Sequence, residues 1–259
     1  MSRFVNLEFG GESEGEESAA QNSAINDEAR FMGRAQEAFE SGLFESALRN
    51  YSKVLEYSPR NAAAWTGQVR MLIELGEFRE ARLWADKALE QFPQEPELLA
   101  AKAVALGRAG ELQEAIAFSD ASIEERGNTP YIWLARGDVL LARKEVRADY
   151  CFDKALALAP NDWFAMWLAA RIRFYHEQLA LALKLLQQAL ERNATHFLLW
   201  LELGNCQLAM GWAGPATVSL QRARELNPGS DAVRAALREA AKPGPLARAF
   251  GWARRLFHR

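Results

Sequence analysis

The chain has 259 residues, with 34 acidic and 31 basic side chains and a hydrophobic content of 49%. These values are typical of a globular protein with a core, and the near-balance of charge disfavours a protein that coats nucleic acid. The two cysteines, Cys151 and Cys206, form no CxxC pair, so we expect neither a disulfide framework nor a zinc site. We predict no metal and no other cofactor.

The N-terminal segment, residues 1–27, carries six acidic side chains and one basic one. Its stretch 10–17 consists of glycine, serine and glutamate, which offer too little apolar area to offset the entropy lost on ordering. We therefore predict a disordered acidic tail. The segment also lacks the continuous apolar run of a secretory signal, so we predict a cytoplasmic protein.

An internal repeat of 33 or 34 residues follows. Alanines recur along the chain at this interval. A proline or a small residue lies twelve residues after each of them, and a glycine lies five residues before most of them. Each repeat holds two apolar-periodic windows of helical length, separated by that turn. The series, called the grid alanines below, is Ala47, Ala81, Ala115, Ala148, Ala182 and Ala216. We predict six repeats, at 28–61, 62–95, 96–129, 130–162, 163–196 and 197–230.

The motifs within the repeats are Trp200-Leu-Glu-Leu-Gly204 and Ala148-x3-Phe152, the latter followed by Pro160. They resemble the tetratricopeptide repeat (TPR), whose pattern is Trp-x2-Leu-Gly, then Ala-x3-Phe, then Pro. The resemblance implies an all-α, right-handed solenoid of six helix-turn-helix repeats. The turn 142–146 is one residue short and lacks the glycine, which predicts irregular packing in the fourth repeat.

Residues 231–242 predict a capping helix that begins at an Asp231 N-cap and covers the last repeat. After the break at Pro243 and Pro245, residues 243–259 form a basic amphipathic segment. An apolar face opposite arginines is typical of a helix in a membrane interface. Two alternatives remain: the segment folds back over the capping helix, or it binds an acidic protein. The predicted membrane-contact residues are Leu246, Arg248, Phe250, Trp252, Arg254, Arg255, Leu256, Phe257 and Arg259.

No catalytic motif stands out, so we predict a non-enzymatic protein. The TPR resemblance implies that the first helix of each repeat lines a concave groove, and Trp, Tyr and Arg side chains dominate binding hot spots. The alternative for Trp167 and Phe174 is packing between neighbouring helices. The predicted partner-binding residues are Arg70, Arg108, Tyr131, Asp138, Phe164, Trp167, Arg171, Phe174, Tyr175 and Asn205.

These features favour an interaction scaffold that holds a protein partner, either a peptide segment or a filament surface. The layout is similar to that of bacterial kinesin-light-chain-like TPR proteins, which implies a link between a tubulin-like filament and the membrane. One alternative is a peripheral tether whose C-terminal helix binds an anionic membrane. A co-chaperone-like adaptor is disfavoured, because the first three repeats lack lysine at the positions of the Lys and Asn clamp. No nucleic-acid partner is expected.

Overall fold

A computed structural model describes residues 27–125 and 127–242. Within these ranges the chain forms thirteen helices and no strand, which confirms the predicted all-α repeat fold. The predicted acidic tail, up to residue 26, and the predicted basic segment 243–259 lie outside the described residues.

The chain divides into two compact units, Met1–Gly127 and Asn128–Arg259, and the division falls two residues before the end of the third predicted repeat. In the first unit the helices are α1 (27–40), α2 (Phe44–Tyr57), α3 (Ala62–Glu74), α4 (Phe78–Gln91), α5 (Pro96–Ala109) and α6 (Leu112–Glu124). In the second unit they are α7 (Pro130–Ala142), α8 (Ala148–Leu158), α9 (Trp163–Tyr175), α10 (Leu179–Arg192), α11 (Phe197–Ala209), α12 (Ala213–Leu226) and α13 (Asp231–Ala240).

The helices pair as antiparallel hairpins, one per repeat. We call the first helix of each repeat, α1 to α11 in odd numbers, its A helix, and the second its B helix. All six grid alanines lie on B helices and are at most 1% exposed. Their small side chains let each B helix approach its A helix closely, and the resulting hairpin buries one face of both helices.

In two hairpins a glycine of the A helix lies directly against a large side chain of the B helix. A Cβ atom added at Gly137 would lie 2.8 Å from Cε2 of Phe152, and one added at Gly204 would lie 2.6 Å from Cδ2 of Leu220. Every repeat has a buried residue pair at these two positions, and a small residue occupies at least one of them. We call the residues at these two register positions the close-approach pair of each repeat, and the six pairs are Ala35–Tyr51, Val69–Ala85, Ala103–Ser119, Gly137–Phe152, Ala170–Leu186 and Gly204–Leu220.

The turns between A and B helices contain a residue with a positive φ angle. Four repeats use the predicted glycine, for example Gly110 at φ 90°. Lys144 and Glu177 adopt φ values near 60° in the fourth and fifth repeats. Helix α8 begins at its grid alanine, Ala148, whereas every other B helix begins three residues before its own. The shortened turn of the fourth repeat thus coincides with a B helix that begins three residues late, and irregular packing of this repeat stays a prediction.

Helix α13 packs against α12 and α11, and its Val233 is fully buried. The predicted N-cap is corrected by one residue. The Oγ of Ser230 accepts a hydrogen bond from the Val233 amide at 3.3 Å, because Ser230 is extended and Asp231 is already helical.

The repeat tryptophans fasten A helices to the preceding turn. The indole N–H of Trp65 donates to the Pro59 carbonyl at 2.8 Å, and that of Trp200 donates to the Ala194 carbonyl at 2.8 Å.

We expect Trp65→Phe to lower the free energy of unfolding by about 1–3 kcal/mol, because it removes a hydrogen bond and ring volume. Urea denaturation followed by circular dichroism measures this. Trp212→Phe, at a position 45% exposed, is the control and should change stability by less than about 0.5 kcal/mol. Equal losses would contradict the role of the bond.

Candidate functional site

Two predicted partner-binding residues lie in the first unit, both half-buried on A helices. The guanidinium carbon of Arg70 lies 5.0 Å from the centre of the Phe39 ring, and this contact joins α3 to α1. Arg108 lies in the last turn of α5. The other eight predicted residues belong to the second unit.

Two of those eight residues are in the core. Trp167 is fully buried and Asp138 is 2% exposed. The prediction that these two side chains contact a partner directly is therefore corrected: they have a structural position. Trp167 occupies the fifth position of its A helix, which is buried in five successive repeats. These buried residues are Thr66, Ala100, Leu134, Trp167 and Leu201.

Arg171 forms a largely desolvated ion pair between two A helices. Its Nη1 lies 2.6 Å from Oε1 of Glu202, which joins α9 to α11, and the two side chains are only 23% and 16% exposed. The guanidinium carbon also lies 5.2 Å from the centre of the Trp167 ring. The predicted cation is thus held by a carboxylate that the sequence pattern did not single out.

A second polar contact joins α7 to the end of α9. Nε2 of His176 and Oδ1 of Asp138 are 2.7 Å apart, and the two side chains are 15% and 2% exposed. His176 is the C-cap of α9. The buried carboxylate therefore acts within the fold, where it fixes the end of α9 against α7.

Arg173 is a buried cation that sequence reasoning missed. Its Nη2 lies 2.7 Å from Oδ1 of Asp149, and its Nη1 donates to Oε1 of Gln178 at 2.5 Å. The guanidinium carbon lies 3.9 Å from the centre of the Phe152 ring. These contacts join α9 to α8 and to the turn before α10. No signal in the sequence distinguished this arginine from Arg171.

Aromatic rings are concentrated at the start of α9. Phe164 stacks on the buried Trp167 with ring centres 5.1 Å apart. Trp163 contacts Phe164 at 5.6 Å and the His196 ring at 4.4 Å. Such ring pairs contribute about 0.5–1.5 kcal/mol beyond burial, so Phe164 is held rigidly while part of its surface stays accessible.

Six predicted residues of the second unit keep accessible surface. Tyr175 is the most exposed aromatic residue among them, at 45%. Asn205, which is half-buried, carries an amide that can both donate and accept hydrogen bonds. These side chains offer aromatic contact area and a hydrogen-bonding group. We call this set the unit-2 face, and its members are Tyr131, Phe164, Arg171, Phe174, Tyr175 and Asn205.

Residues 27–125 and 127–242 contain neither a group of metal ligands nor a membrane-spanning helix. In these ranges no three His, Cys, Asp or Glu side chains are grouped so that they could hold a metal ion. No helix within them has both the length and the apolar character needed to cross a bilayer.

Both thiols are buried within the second unit. Desolvation raises the pKa of Cys206 to about 11, and the nearby Glu202 carboxylate adds to this effect. Burial also raises the pKa of Cys151. At pH 8 about one in a thousand Cys206 side chains is then in the reactive thiolate form.

We expect iodoacetamide at pH 8 to leave both thiols of the native chain unmodified, while the denatured chain reacts at both. Mass spectrometry measures the outcome, and rapid labelling of the native chain would contradict it.

Residues 32–96 and 168–211 match the tetratricopeptide repeat family. No curated protein shows significant similarity to the chain. A thermophilic TPR protein of Thermus thermophilus is 16% identical, with a TM-score of 0.50, over 82% of this chain and 98% of that protein.

Two further solved structures are similar. A chain of the APC/C hetero-tetramer Cut9–Hcn1 is 16% identical with a TM-score of 0.51, and the similarity covers 87% of this chain and 47% of that one. PilW, a type IV pilus biogenesis factor, is 21% identical with a TM-score of 0.49, over 81% of this chain and 98% of its own.

The likeness to the solved structures concerns the fold, and the family match concerns the repeats themselves. Tetratricopeptide repeats generally mediate protein–protein interactions. The family match assigns tetratricopeptide repeats to residues 32–96 and 168–211, and the six grid alanines on B helices and the hairpin in every repeat show that the same two-helix unit recurs from α1 to α12.

Proposed function

We propose that the chain is a non-enzymatic adaptor that binds a peptide segment of a partner protein on the unit-2 face. The observation that carries this proposal is a row of partly exposed side chains on three successive A helices, with Tyr175 45% exposed. Large aromatic side chains held rigidly and left accessible are typical of binding hot spots.

Three charged side chains at or near this face have partners within the fold. Arg171 pairs with Glu202, Arg173 pairs with Asp149, and the Asp138 carboxylate contacts His176. A partner therefore meets mainly aromatic and neutral polar groups. This chemistry favours a segment with an aromatic or large aliphatic side chain over a strongly charged one.

The orientation of the bound segment would be set by hydrogen bonds. The Asn205 amide has two N–H donors and one carbonyl acceptor, and an extended peptide backbone presents the complementary groups. A contact of this kind does not depend on the partner's side chains. We therefore assign affinity mainly to the aromatic residues and backbone alignment to Asn205.

A matched pair of tyrosine substitutions tests the proposal. Peptides selected on the full chain from a random display library are titrated against Tyr175→Ala and Tyr150→Ala. Tyr150 is 62% exposed but lies on the B helix α8. We expect Tyr175→Ala to weaken binding at least about tenfold, the lower range of hot-spot effects, and Tyr150→Ala to leave it unchanged. Equal effects, or a loss only with Tyr150→Ala, would place binding elsewhere.

The more specific roles stay predictions from the sequence layout. A link between a filament and the membrane depends on the basic segment 243–259, and a cytoplasmic location depends on the N-terminal residues. Both segments lie outside the described residues.

A further inference from the structure

Helix α13, the last one that the structure describes, leaves open the face that B helices cover elsewhere. The tenth residue of each A helix from α3 to α11 is at most 9% exposed, whereas Ala240, the tenth residue of α13, is half-buried. Ala241, the next residue, is exposed, although Leu72, Leu106 and Leu140 at its position are buried. The side of α13 that carries Ala240 and Ala241 therefore lacks a described B helix.

We propose that residues 246–259 cover this face as the B helix of a seventh repeat. The turn glycine and the grid alanine are five residues apart in four repeats, and Gly244 and Ala249 have the same spacing. They follow Gly211 and Ala216 by 33 residues, the interval that also leads to Ala148. The chain thus continues the repeat beyond α13.

The apolar residues of the segment fall at buried repeat positions. Ala249 occupies the seventh grid position, and Ala253 and Leu256 lie four and seven residues after it. All eighteen equivalent residues of the six described B helices are buried. Leu246 lies three residues before the grid position, where α2 and α4 begin with phenylalanine.

The arginines of the segment fall at positions that the fold leaves accessible. One residue before the grid alanine, Ala249, lies Arg248. Five, six and ten residues after it lie Arg254, Arg255 and Arg259. None of the 24 equivalent residues in the described B helices is buried. The same register therefore places apolar groups inward and charges outward, without any adjustment.

In the close-approach pair of the seventh repeat, as in the other six pairs, at least one residue is small. The pair consists of Arg238 on α13 and Ala253, a large residue opposite a small one, like Val69 opposite Ala85. The aliphatic stem of an arginine can pack on an alanine while its guanidinium remains in water. Only a small residue on the B side accommodates that stem, and position 253 supplies one.

This use of the segment competes with membrane contact. The arc formed by Ala249, Ala253 and Leu256 can either pack on α13 or enter a bilayer interface, but not both at once. The proposal is independent of the proposed function, because no residue of the unit-2 face takes part in it.

Hydrogen exchange of the full chain, read by mass spectrometry, tests the seventh repeat. We expect amides of residues 249–257 to exchange at least about tenfold more slowly than in the isolated peptide. Ala253→Gln should remove this protection and accelerate exchange in α13. The matched control, Arg254→Gln, changes the neighbouring residue at an accessible position and should preserve both protections.

Three results would overturn the proposal. One is unprotected amides at 249–257 in the unaltered chain, and another is equal effects of the two substitutions. The third is protection that appears only with vesicles of anionic phosphatidylserine and phosphatidylcholine, which would assign the segment to the membrane. Protection without vesicles that only Ala253→Gln removes would establish the seventh repeat.

Discussion

Trp167→Ala should lower the free energy of unfolding of the second unit by about 3–5 kcal/mol, the usual cost of removing a large buried aromatic side chain. Trp167 is fully buried, and its ring stacks on Phe164 with centres 5.1 Å apart. The guanidinium of Arg171 lies over the same ring at 5.2 Å. Alanine would leave a cavity and remove both contacts. Urea denaturation of the full chain, followed by circular dichroism, measures the loss.

The control for this experiment is Trp212→Ala. Trp212 is 45% exposed, so its replacement should cost less than about 1 kcal/mol. A Trp167→Ala variant of unchanged stability that no longer binds a selected peptide would contradict the core position and would restore Trp167 as a contact residue.

The periodicity of the sequence was sufficient to predict the helices. Grid alanines such as Ala47 and Ala182 are buried on B helices, and the glycine at position 110 marks a turn with positive φ. These features are local or repeat at a fixed interval, so the same packing solution recurs in each hairpin. The deviation in the interval marked the fourth repeat as different, but it did not predict that α8 begins three residues late.

The accessible face of α9 could not be predicted in the same way. This helix, 163–175, is apolar around most of its circumference, so hydrophobic periodicity does not separate an inner from an outer side. The sequence therefore predicts Trp167 and Phe174 on the same surface. In the structure Trp167 is fully buried, whereas Phe174 keeps accessible area.

The polar contacts between helices were also beyond the sequence pattern. Asp138 and His176 are 38 residues apart, and Arg173 meets Asp149 across a hairpin boundary. Such pairs depend on which side chains the packing brings within about 3 Å of each other, and the repeat interval alone does not contain that information.

We expect the second large effect from Gly137→Val. A Cβ atom at this position would lie 2.8 Å from Cε2 of Phe152, which is inside the closest approach of two carbon atoms. The ring cannot easily withdraw, because the guanidinium of Arg173 lies 3.9 Å from its centre. Overpacking of this kind costs up to about 3 kcal/mol, and urea denaturation of the full chain measures it.

The reason for that cost can be tested by a double-mutant cycle with Phe152→Ala. The double variant places valine opposite alanine, the pair that Val69 and Ala85 form in the second repeat. Phe152→Ala alone should cost about 3–5 kcal/mol through its cavity. If the two residues contact as described, valine partly fills that cavity, and the double variant should be no less stable than Phe152→Ala alone. The coupling between the substitutions would then be about 3 kcal/mol, large for a contacting pair.

Strictly additive losses would mean that the sizes of close-approach residues do not set the spacing of a hairpin. The same result would remove the size argument for Arg238 opposite Ala253, because that pair relies on the same exchange of volume between helices.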